Sequence, residues 1–270
     1  MQRYCTVNRL RIGGGAPARL MGVINCSPES FYRGSYTPAG GVHDRAVAML
    51  EAGADLIDLG ARSTAPGSPP LTVAEEAARV DAALAELDGT GITLSVDTRY
   101  PEVLEVCLRH DVHAANDISG LSDERYAMLV ADAGLPVFAM ASCREPGDPV
   151  GLAATMEALG TVVERCARSG IDEYVLDPAV GRWTPSRTSE DDWELCRNFS
   201  SFLAFGRPVL AAVSRKTFLG DLLCRGPDER LAGTLALTTM LLDAGAAVVR
   251  SHDVAETKDL LRVYEKMRRV

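Results

Sequence analysis

Seven polar side chains stand where an apolar run stops. They are Asn25 after Leu20 to Ile24, Asp97 in LSVDT, Asn116 in AANDIS, Asp177 in YVLDPAVG, Lys216 in LAAVSRK, and Arg250 and His252 in VVRSHD. Their types support two kinds of chemistry. Asp97, Asn116, Asp177 and Lys216 suit a flat, nitrogen-rich heterocycle: a carboxylate accepts two parallel N–H bonds from a 2-amino-pyrimidinone edge, an amide both donates and accepts, and a lysine reaches a ring carbonyl or ring nitrogen. Asn25, Arg250 and His252 suit a phosphate accompanied by magnesium. Taken singly, each is also an ordinary strand-end cap or turn former; Lys216 reads equally as a solvated helix start, and His252 as a cap on the last helix. It is the agreement of so many ends that favours the chemical reading.

These residues need elements that bring them together. LIDLG before ARST and VFAMAS complete a set of eight apolar runs that each end in polar residues, which is how buried parallel strands read when they deliver side chains to a loop. In a parallel barrel all the C-terminal strand ends gather at one mouth. Helical patterns alternate with the runs: one at Val42 to Ala52, one opening at Thr72 with Glu75 and Glu76 in its first turn, one near Pro101, a long one over Ala153 to Ser169, two stretches around Gly226-Pro227, and a last one from Val254. Eight strand and helix pairs in a chain of 270 residues suit an α/β TIM barrel, whose usual size is about 250 residues. The barrel is expected over 19–270 as a single domain, with 1–18 forming a hairpin or plug over its bottom. A doubly wound open sheet fits less well, because no G-x-G-x-x-G turn follows the first strand. The stretches Ser27 to Gly41 and Ala61 to Pro70 are long for βα connections and are expected to be functional loops.

Composition narrows the partners. With 47% hydrophobic residues the chain can bury a large core, and its net charge of -9 disfavours a nucleic-acid or anionic-membrane surface. Any anionic ligand must meet local cations. The seven cysteines, Cys5, Cys26, Cys107, Cys143, Cys166, Cys196 and Cys224, include no C-x-x-C pair and read as reduced thiols. Four histidines without H-E-x-x-H spacing give little support to structural zinc. No segment sustains the roughly 18 apolar residues of a membrane span, and a cytoplasmic location is expected. Neither the cysteines nor Ser214 has a local His and Asp partner, so a covalent nucleophile is not expected.

The pieces MGVINCSPESF, GADLIDLGARST, SVDT, NDISG, LDPAVG, SRKTFLG and AAVVRSHDV, in that order and spacing, resemble the dihydropteroate synthase family over nearly the whole chain. The resemblance implies a TIM barrel, a homodimer and a transferase that joins 6-hydroxymethyl-7,8-dihydropterin diphosphate to an arylamine with loss of pyrophosphate. It implies a pterin pocket of Asp97, Asn116, Asp177 and Lys216. It also implies a diphosphate site of Asn25, Arg250 and His252 with Mg2+ held through Asn25. Asp97, Asp177, Lys216 and Arg250 would carry catalysis by electrostatics. The departures fall on the second substrate, for which Ser63, Thr64, Arg182, Trp183, Ser214 and Arg215 are the candidates. The family's S-T-R-P-G is here Ser63-Thr64-Ala65-Pro66-Gly67, its G-F-G-K is Gly181-Arg182-Trp183-Thr184, and its Met-His after the fifth strand is Met140-Ala141. Three readings follow: ordinary folate synthesis with 4-aminobenzoate; a methanopterin-type synthase whose amine carries a ribose phosphate, met by Arg182, Arg144 or Arg187; and a pterin-binding module of a methyl-transfer system. Retention of Arg250 and His252 speaks against the third.

Overall fold

In a computed structural model that describes residues 3–27, 36–62 and 71–268, the eight apolar runs are parallel strands of one sheet. They are β3 (Arg19–Asn25), β4 (Leu56–Gly60), β5 (Leu94–Asp97), β6 (Ala114–Asp117), β7 (Val137–Met140), β8 (Tyr174–Asp177), β9 (Leu210–Ala211) and β10 (Val248–Ser251). Neighbours pair in chain order from β3 to β8, and β10 pairs with both β3 and β9. A parallel bridge between Leu176 and Val209, with the Leu176 N–H on the Pro208 carbonyl at 2.9 Å, joins β8 to β9 and closes the ring. The fold is the expected α/β TIM barrel.

Around it lie α1 (Val42–Glu51), α2 (Val73–Ala85), α3 (Pro101–Cys107), α4 (Glu124–Asp132), α5 (Gly151–Ser169), α6 (Ser189–Arg197), α7 (Thr217–Leu223), α8 (Leu231–Asp243) and α9 (Val254–Arg268). Local sequence sets their ends. Thr72 and Glu75 form a capping box that opens α2, and Thr188 with Asp191 does the same for α6. Pro101 starts α3, where its missing N–H costs nothing, and Gly170 ends α5 in the left-handed region.

Below the barrel, β1 (Tyr4–Val7) and β2 (Leu10–Gly13) form an antiparallel hairpin. Its Cys5, Val7 and Ile12 pack against Met21, Leu56, Phe138, Val175 and Leu210 at the N-terminal half of the barrel interior. Burial of this layer leaves the opposite end of the barrel for polar side chains.

One strand departs from its expected length. The apolar run LAAV before Ser214 reads as extended throughout, yet β9 covers only Leu210–Ala211. The reason is the turn that follows: Lys216 N–H bonds the Val213 carbonyl, and Arg215 takes a φ of 55°. Ser63 and Thr64, with the rest of 63–70, lie outside the described residues.

Candidate active site

The registers of β3 to β6 place Asn25, Gly60, Asp97 and Asn116 abreast in one row at the C-terminal end of the sheet. Because side chains alternate along a strand, Asp58 shares a face with Gly60, two residues on. A Cβ on Gly60 would sit 3.3 Å from that of Asp97, so the glycine makes room for the aspartate beside it. Arg250 reaches across from β10. Its Nε donates to Asp58 Oδ2 at 2.7 Å and its Nη2 to Asp97 Oδ2 at 3.0 Å, while Asn116 Nδ2 donates to the same Asp58 oxygen at 3.0 Å. Arg250, expected beside Asn25 and His252, is thus also the counter-ion of two carboxylates.

Asp58 is the site residue that sequence reasoning missed. It is fully enclosed, and its Oδ1 has no hydrogen-bond partner. A buried carboxylate needs a partner, and a charged residue inside the apolar run LIDLG was the available signal. Its partner lies 192 residues away, beyond what local pattern reveals.

Crowded charge shifts the ionisation of the site. Burial, and then the Asp58 charge, push Asp97 up to about 7 against the pull of Arg250. Burial also raises Asp177, opposed by the Ala179 N–H at 2.8 Å and by the Lys216 and Arg250 charges. Lys216 is pushed down to about 8 by burial, with Asp177 acting the other way. His252 falls to about 3 through burial and the nearby cations Arg250, Lys216, Arg215 and Arg45. It is therefore a neutral imidazole at physiological pH. Ser214 Oγ accepts the His252 N–H at 3.2 Å and lies 2.9 Å from Nδ1. A hydroxyl that donates to Nδ1 puts the ring proton on Nε2, an assignment made from this pattern.

The expected second-substrate residues separate. Ser214 serves His252. Arg215 does not stand ready for a carboxylate: Nε and Nη2 close on Asp253 at 2.8 and 2.6 Å, and Nη1 donates to the Pro227 carbonyl at 2.7 Å. Arg182 and Arg144 are exposed, as loop cations ordinarily are. Arg187 is not a surface cation at all: it is 0% exposed, with Nε donating to Asp192 Oδ1 at 3.0 Å. Trp183 lies with its ring centre 4.8 Å from Lys216 Nζ, and it abuts Gly147, where any Cβ would collide with it.

The metal question turns on the donor set. No group of three or more His, Cys, Asp or Glu side chains that could hold a metal ion occurs among the described residues. Asn25 Oδ1 accepts the Ser27 N–H at 2.8 Å and keeps a second lone pair. One amide oxygen fits magnesium bound mainly by substrate phosphates, and does not fit an all-protein metal site.

Comparison with known proteins shows the family. The sequence profile described as "Pterin binding enzyme" matches residues 21–252. The dihydropteroate synthase of Escherichia coli (strain K12) is 32% identical over 263 residues, covering 91% of this chain and 90% of the relative. Two Xanthomonas albilineans dihydropteroate synthase structures, each 30% identical, superpose with TM-scores of 0.87 and 0.83. The first, with 4-aminobenzoic acid, covers 100% of both chains, and the second, in complex with 7,8-dihydropteroate, covers 99% of this chain and 100% of that one. Buried Asp58 and half-buried Asp97, bridged by one arginine at the mouth of a closed barrel, together with these matches, place the chain in the pterin-binding enzyme family.

Proposed function

We propose that this protein is a dihydropteroate synthase that condenses 6-hydroxymethyl-7,8-dihydropterin diphosphate with 4-aminobenzoate and releases pyrophosphate. The observation that carries the reading is the convergence of Asp58, Asp97, Asn116, Asp177, Lys216 and Arg250 from six strands or strand ends on one mouth. Asp97, Asp177 and Asn116 meet the N–H edges of the pterin, and Lys216 meets its ring carbonyl or a ring nitrogen. When the C–O bond to pyrophosphate breaks, positive charge spreads over the pterin-methyl group and ring. The enclosed carboxylates stabilise it where water is excluded. His252 offers the departing diphosphate a neutral Nε2–H, and Arg250 offers it charge. Magnesium, held by the diphosphate and Asn25 Oδ1, would neutralise phosphate charge. The arylamine is unprotonated at neutral pH and needs no general base.

Arg187, one of the three arginines expected to meet a sugar-phosphate-bearing amine, is enclosed beside Asp192 and does not stand on the loop surface with Arg182 and Arg144. Incubation with the pterin diphosphate, 4-aminobenzoate and magnesium should give dihydropteroate by mass spectrometry, with one pyrophosphate per product. Pterin binding without either product would refute the synthase reading and leave a pterin-binding module.

A further inference from the structure

The loop between β8 and α6 encloses three N–H donors that have no acceptor: Arg187 Nη1 and Nη2, and Trp183 Nε1. A buried donor without a partner costs free energy, and a charged one costs more, so a native chain rarely keeps three together without a use for them. The loop is otherwise firmly built. Asp192 Oδ1 accepts both the Gly181 N–H at 2.8 Å and Arg187 Nε at 3.0 Å, and the Arg187 N–H bonds the Thr184 carbonyl at 3.1 Å. Asp192 Oδ2 is also enclosed and unpaired, so the carboxylate of the pair does not satisfy the two Nη atoms. Contact continues to the site: a Cβ on Gly181 would lie 2.9 Å from Lys216 Nζ, and Trp183 covers the same ammonium.

We propose that Arg187 is the carboxylate receptor for the second substrate, its two Nη atoms binding both carboxylate oxygens of the arylamine, with Trp183 Nε1 as an auxiliary donor. This rests on the synthase reading and deepens it. A carboxylate is the group that satisfies a pair of guanidinium N–H donors at once. With Lys216 and Asp192 adjacent, the bound arrangement has two cations facing two anions. The cation that the S-T-R-P-G and G-F-G-K patterns lack here is then supplied from inside the loop. Arg187 is 0% exposed, so binding requires the exposed edge of Arg182, Pro185 and Ser186 to move outward, which breaks the Arg187 N–H bond to the Thr184 carbonyl and leaves the Asp192 anchors in place.

The test compares 4-aminobenzoate with its neutral analogue 4-aminobenzamide, by kcat/KM in turnover and by Kd at equilibrium, in the whole protein. Wild type should prefer the acid. The double variant Arg187→Met with Asp192→Asn, which leaves no lone buried charge, should lose that preference by tenfold or more while keeping pterin affinity. Arg187→Lys should retain part of it, and Trp183→Phe should lose less. An unchanged acid-to-amide ratio in a variant with a cooperative melting transition overturns the proposal, and so does a site that takes up only water. Absence of turnover with either amine would sink the synthase reading, and the equilibrium ratio would still decide the role of Arg187.

Discussion

At the residue scale the site holds Asp97, Lys216 and His252 in unusual ionisation states. Asp97→Asn and Asp177→Asn should each weaken pterin binding by about 1.5–3 kcal/mol, the range for a hydrogen bond to a charged group; titration calorimetry measures this, and unchanged affinity in both would break the pocket assignment. The Asp97 value also sets a pH dependence. The folded protein keeps this proton up to about 7, whereas the unfolded chain releases it near 3.8, so between those values the native state binds more protons and stability falls as pH rises. His252 acts in the opposite sense: between about 3 and 6.5 the unfolded chain binds the extra proton, and stability is lost as pH falls through that window. In the ligand-free protein the His252 ring resonances should not titrate between pH 5 and 8. A midpoint near 6.5 by NMR would contradict the neutral donor. The sequence showed Asp97, Asn116, Asp177 and Lys216 because each interrupts an apolar run. It concealed Asp58, which lies within one, and it offered Arg187 as a loop cation for a ribose phosphate, with nothing in its Pro, Ser and Thr neighbours to show that the side chain is enclosed.

At the scale of elements, strand register does the positioning, and helix starts secure it. The capping box of Thr72 and Glu75 fixes the first turn of α2, which carries Glu76. Glu76 is 1% exposed; it accepts the Thr98 hydroxyl at 2.7 Å and pairs with Arg62, bracing the residue after Asp97 and the root of the loop after β4. Thr72→Ala should cost about 1 kcal/mol in denaturant unfolding. A change within error would mean that this cap does not hold the helix start. Most strand and helix positions were legible, since continuous apolar runs that stop in polar residues and helix-capping residues are local signals. The two-residue length of β9 was not, because it is set by the turn from Val213 to Lys216, in which Arg215 takes a positive φ that its residue type does not announce.

For the whole molecule, closure of the ring between β8 and β9 brings residues from both ends of the sequence to one mouth, and the hairpin below fills the other end with apolar side chains. No helix among the described residues is long and apolar enough to cross a membrane. Leu222 and Leu223 of α7, Met240 of α8, and Val263 and Met267 of α9 are exposed on consecutive helices. A homodimer, expected from the family resemblance, should give twice the 28.9 kDa chain mass by light scattering; a monomer at micromolar concentration would remove that expectation. The barrel and the sites of the strand ends were readable from eight repeated stops, while the pairing of Arg250 with Asp58 required the closed ring. The most direct measurement of the central claim is a crystal structure with a bound dihydropterin. The account predicts the ring in the barrel mouth, its N–H edges on Asp97, Asp177 and Asn116 and its polar ring edge at Lys216. A pterin bound elsewhere, or bound there without contact to these carboxylates, would contradict it.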